Sequence, residues 1–77
     1  MTRFKTKNDK DIQYVLGEDD GILKVYVIVQ HSQQSLNVNQ LVHAQSLYES
    51  NYQSFIQQEW NKIYQLSQHN FVQLMAA

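Results

Sequence analysis

From Ser50 to Met75 the chain carries one unbroken apolar periodicity, SNYQSFIQQEWNKIYQLSQHNFVQLM, and a segment of that length constrains everything packed around it. Stepping about 100° per residue from Tyr52, the residues Ile56, Ile63 and Leu74 fall within about 40° of it. Leu66 and Phe55 lie on one flank; Trp60, Tyr64 and Phe71 lie on the other. The apolar arc is roughly 180° wide, against the ~100° stripe that suffices for one buried face. Gln57, Asn61, Gln65 and Gln68 fill the opposite side, with Lys62 and His69 nearby. Ser50 and Gln53 have capping-box spacing, and no Gly or Pro interrupts the run. The segment reads as a C-terminal amphipathic helix against which a small sheet and a shorter helix pack.

The sheet is read from the first half. Thr2, Phe4 and Thr6 alternate with Arg3, Lys5 and Lys7, which predicts an edge strand with its basic residues outward. Asn8-Asp9-Lys10-Asp11 reads as a turn, and Ile12 to Leu16 alternates again. Gly17-Glu18-Asp19-Asp20-Gly21 is a second turn, followed by the β-branched run Ile22 to Gln30. Matching the apolar faces pairs Gly17 with Ile22 around a four-residue loop, so that Leu16 faces Leu23, Tyr14 faces Val25 and Ile12 faces Val27. His31 to Ser35 reads as a polar connector. Asn37 then stands as a cap, with Gln40 at the box position and Leu36 placed to staple against Leu41. A first helix from Val38 to about Glu49 follows, with Leu41, Val42, Ala44 and Tyr48 inward, and a break near Ser50-Asn51 separates it from the second. The fold class is α+β: a three-stranded antiparallel β-meander followed by two α-helices, βββαα.

Seventy-seven residues make one domain, 1–77, with a thin stability margin. The chain has no cysteine, which excludes disulfides and thiolate chemistry and suits a reducing compartment. The charged start MTRFKTKNDKD has no apolar core of a signal peptide, and the run Val25 to Val29 is too short to cross a bilayer. A cytoplasmic protein with no membrane association is expected. Net charge is −1, but four of the six basic residues fall in the first ten positions. Beyond residue 30 the only Asp, Glu, Lys or Arg side chains are Glu49, Glu59 and Lys62. The helical half therefore presents Gln, Asn and Ser, which cost less to desolvate than charges.

Little in the chain points to chemistry. His31, His43 and His69 lack metal-site spacing, so neither a metal nor a cofactor is expected. Glu18-Asp19-Asp20 lacks the ligand alternation of a calcium loop, and Asp9 and Asp11 read as turn residues. Ser32, Ser35 and Ser46 have no nucleophile-elbow context, and two glycines cannot form a phosphate loop. The chain does not read as an enzyme.

Two binding surfaces remain. Trp60, Tyr64 and Phe71 form an aromatic flank that is either covered by the first helix or left open as an anchor for another protein or a second copy of the chain. The expectation is a small non-enzymatic protein-binding module, an adaptor or a stoichiometric inhibitor of a larger assembly, with a homodimer favoured. Phage-encoded or mobile-element antagonists of host defence are of this size and type. The alternative is a nucleic-acid-binding accessory protein using the basic N-terminal edge of Arg3, Lys5, Lys7 and Lys10.

Overall fold

Three two-residue turns, at residues 10–11, 20–21 and 30–31, fold the first half of the chain into a meander with a spacing of ten. A computed structural model describes residues 2–42 and 52–76, with the side chains of the last helix described over 54–71. Strands Thr2–Asp9 (β1), Ile12–Asp19 (β2), Ile22–Val29 (β3) and Ser32–Asn37 (β4) pair antiparallel in the order β1-β2-β3-β4. A helical turn, Val38–Leu41 (α1), and a long helix, Tyr52–Ala76 (α2), follow. The class is α+β, as expected, but the sheet has four strands and not three.

The extra strand is the segment read as a polar connector. An edge strand with neither face fully covered needs no apolar alternation, because its ladder is made by backbone groups alone. Ser32 to Ser35 are all exposed. The turn before it, Gln30-His31, also lacks the Gly or Asn that usually marks a hairpin.

The β2–β3 hairpin closes more tightly than the facing argument predicts. Asp19 pairs with Ile22, Leu16 with Val25, Tyr14 with Val27 and Ile12 with Val29. Asp20 and Gly21 both take positive φ, 52° and 77°, as a type I′ turn requires, and that turn matches the twist of its strands. The Gly21 N–H donates to Glu18 Oε1 at 2.8 Å. The register therefore moves by two residues. A shift of two keeps every side chain on its face, so Tyr14, Leu16, Leu23, Val25 and Val27 still share the core side.

β1 departs in the other way. An irregularity between Arg3 and Lys5 leaves Phe4 outside the register, with Arg3 opposite Gly17, Lys5 opposite Leu16 and Lys7 opposite Tyr14. One extra residue resets the alternation, so Lys5 and Lys7 lie on the core side and Arg3 on the other. Phe4 still packs against the core.

α2 lies along the core face beside β1. Ile56 neighbours Phe4 around a shared cavity, Lys7 reaches Tyr64, and Gln68 reaches Asp9. Twelve helical residues rise about 18 Å and five strand residues about 17 Å, so helix and strand keep step along this edge. Phe55, Ile56, Ile63 and Phe71 are buried, and with Val38 from α1 they complete the core. Ser67, 0% exposed, lies in the same buried stripe and donates its hydroxyl to the Ile63 carbonyl at 2.7 Å.

α1 begins at the anticipated cap but stops after one turn. The Val42 N–H closes on the Val38 carbonyl at 2.9 Å, and Val42 itself is extended at φ −138°, ψ 148°. Asn37 occupies the cap position without a side-chain cap bond. Valine and asparagine are poor helix formers, and a short helix depends on packing, here that of Val38. The anticipated continuation to Glu49, with Ala44 and Tyr48 inward and a break at Ser50-Asn51, lies outside the described residues.

Candidate protein-binding site

Where α2 meets β1, the apolar stripe of the helix overhangs the sheet and two of its rings reach the rim. The Trp60 and Tyr64 rings are one helical turn apart, with centroids 6.0 Å apart and planes tilted by 50°. Tyr64 is held from below by Tyr14 of β2, edge to face, at 5.0 Å and 88°. Lys7 of β1 places its Nζ 4.5 Å from the Tyr64 ring centroid. One turn further on, Gln68 Nε2 donates to Asp9 Oδ2 at 2.8 Å and pins the helix to the end of β1. Trp60 and Tyr64 are both half-buried and pack against the core, so the pair forms a firmly seated ledge that is not fully covered.

On the Tyr64 side Lys7 and Tyr14 pack against the ring, and the part of the anticipated first helix beyond Val42 that was to cover the flank lies outside the described residues. Phe71 separates from the other two aromatics. It is buried two turns beyond Tyr64 and lines a cavity of about 190 Å³ with Val27, Val29, Gln30, Ser32 and Gln34. A second cavity, of about 200 Å³, lies near the start of α2 between Phe4, Lys5, Ile56 and Gln57.

The four N-terminal cations do not form one stripe. Lys5 and Lys7 face the helix side, Arg3 the opposite side, and Lys10 sits in the β1–β2 turn at φ 57°. Register parity splits them, and the irregularity at Phe4 that causes the split had no signature in the alternation.

Burial pushes the Tyr14 phenol above its ordinary pKa, with the nearby Tyr64 and Asp9 adding to the effect. On the other face of the sheet Tyr26 pairs with Val15, and both are buried outside the main core. Burial raises the Tyr26 phenol too, and Asp19 adds to it. Both phenols carry no charge near neutrality.

Glu18 serves the turn through Gly21, and His31 is exposed in the β3–β4 turn. His69 is exposed on α2, and His43 lies outside the described residues. Among the described residues, no three His, Asp or Glu side chains gather as metal ligands would, and no helix is long and apolar enough to cross a membrane. No protein-family model, curated protein or solved structure matches the chain.

Proposed function

We propose that this chain is a non-enzymatic protein-binding module, acting in the cytoplasm as an adaptor or as a stoichiometric inhibitor of a larger assembly. The observation that carries the reading is the Trp60–Tyr64 ledge. Two large aromatic side chains lie together at a rim, held by Tyr14 from below and by a cation at the side, and neither is fully covered. Rings already fixed lose little entropy on docking, and Trp and Tyr dominate the energetics of protein interfaces. Gln57 and Asn61, exposed on the adjoining helix surface, are uncharged and cost little to desolvate. Phe71 is left out of the ledge because it is buried in the body of the domain. The nucleic-acid alternative loses its main support, since the register distributes Arg3, Lys5, Lys7 and Lys10 over two faces and a turn.

The test is site-directed photo-crosslinking in extract of the native host. A photoreactive side chain at Asn61, beside the ledge, should give one discrete adduct with a single protein, and the same group at Ile22, on the far face of the sheet, should not. Tyr64→Ala should weaken capture about ten-fold or more, the scale of an interface hot spot. Because Tyr64 also packs on Tyr14, Asn61→Glu serves as a second variant that adds a charge at the exposed rim without touching the core. Equal adducts from both positions, or capture unaffected by both variants, would refute the reading.

A further inference from the structure

Among the described residues the sheet has two edges, and only β1 carries features of its own that guard it. β1 carries Arg3, Lys5 and Lys7 and a register irregularity, the features by which edge strands avoid pairing with one another. β4 has none of these. Its six residues, SQQSLN, contain no charge and no proline, and its register against β3 is unbroken from Asn37 to Ser32.

We propose that β4 is the self-association surface of this protein, pairing antiparallel with β4 of a second copy so that two sheets join into one of eight strands. This rests on the β4 edge and not on the Trp60–Tyr64 ledge, which lies at the opposite, β1 edge of the sheet. The two-residue turn at Gln30-His31 fixes which backbone groups are free for the purpose. Such a turn closes with the Val29 carbonyl accepting from the Ser32 N–H, so Ser32 belongs to a hydrogen-bonded pair with Val29. Pairs alternate along an antiparallel ladder, so Gln34 and Leu36 also turn their amides towards β3. Gln33 and Ser35 therefore present theirs outward.

A two-fold axis beside Ser35 satisfies this pattern. Ser35 exchanges both backbone bonds with Ser35 of the second copy, and Gln33 stands opposite the second copy's Asn37. Every cross-strand pair in that register is neutral, whereas β1 paired with itself would set cations among cations. On the core side Leu36 of the second copy falls opposite Gln34. Gln34 borders, with Gln30 and Ser32, the cavity of about 190 Å³ whose inner wall is Val27, Val29 and Phe71, so the incoming leucine would lie over its polar rim and towards that apolar wall. A strand this short buries less than the ~1,200 Å² of a standard interface, so the dimer is a weak and reversible one.

The test is sedimentation equilibrium on the full chain, with amide hydrogen exchange alongside. The intact protein should show a reversible monomer–dimer equilibrium, and the Ser35 amide should become more protected as concentration rises while the Gln34 amide does not change. Ser35→Pro removes an outward N–H that the monomer does not use, and Ser35→Lys places two like charges at the axis. Each should raise the dissociation constant about ten-fold or more and leave the melt of the dilute monomer in place. A chain that stays monomeric at high micromolar concentration overturns the proposal. So does a dimer that neither variant weakens, which would assign association to another surface, or open-ended oligomerisation.

Discussion

β1 and β4 occupy equivalent places in the sheet and are held there by different means. β1 is fastened by side chains: Phe4 packs into the core, Lys7 lies over Tyr64, and Asp9 accepts from Gln68. β4 is fastened by its ladder to β3, with four of its six residues exposed. The difference shows that an edge strand acquires its character from what its side chains do beyond the ladder. Where those side chains are committed to the body of the domain, the edge is closed to others. Where they are polar and uncommitted, the outward backbone groups stay available.

The largest effect should come from removing the side-chain anchor of β1. Phe4→Ala should cost about 2 kcal/mol, roughly half the loss for a fully buried phenylalanine because Phe4 is half-buried. Urea denaturation gives the total. Hydrogen exchange should show the β1 amides losing protection first, while β4 keeps its own. Leu36→Ala, the matching truncation on β4, should cost less. If it costs more, β4 is the edge fastened by its side chains and β1 is not.

The same contrast explains what could be read in the sequence. The facings of β2, β3 and α2 were legible because burial imposes periods of 2 and 3.6, and a register error of two residues leaves a facing intact. β4 was illegible for the reason that leaves its edge open: nothing on it is deeply buried, so its sequence carries no alternation. The one available signal was the regular spacing of turns, since turns near residues 10 and 20 imply another near 30. The splitting of Lys5 and Lys7 from Arg3 turns on one irregular residue, and propensity does not announce such a residue. Ser67 is not legible as a core residue, because a serine in an apolar stripe looks like an interruption. Its hydroxyl is satisfied by the carbonyl one turn back, which makes the residue small and effectively apolar. Of the candidate ledge, Trp60 and Tyr64 were legible from helical spacing. Phe71 shares their angular position on the helix wheel but lies two turns away, over a different part of the sheet.

Alkaline pH offers a second way to separate the halves. Tyr14 lies under the β1 side, next to Tyr64, and Tyr26 pairs with Ser35 of β4. Both phenols are raised above 10.0 in the folded chain, chiefly by burial. Above pH 10 the unfolded chain releases these protons while the folded chain retains them. Folding stability contributed by the two groups is thus complete below about pH 10 and falls as pH rises through the folded values. Tyr14→Phe and Tyr26→Phe should each flatten the alkaline slope of the urea midpoint. A slope unchanged in the double variant would mean that neither ring is shielded from water in solution.

The smallest effect tests whether the edges also differ in their turns. Each edge hairpin closes over a non-glycine residue in the left-handed region, Lys10 at φ 57° and Gln30 at φ 54°. An L-residue there carries about 1–2 kcal/mol of strain, and glycine removes it at an entropic cost of about 0.5–1 kcal/mol. Lys10→Gly and Gln30→Gly should therefore each stabilise the chain by about 0.5 kcal/mol, measured as a shift of the urea midpoint at constant slope. The two gains should be equal, and any departure from additivity measures the coupling between the two turns, which the Ile12–Val29 pair sets side by side at one end of the sheet. Equal gains would locate the whole difference between β1 and β4 in their side chains. A gain at Gln30 with a loss at Lys10 would mean that the lysine side chain itself helps to hold the guarded edge, and the fastening of β1 would extend past Asp9 into its turn.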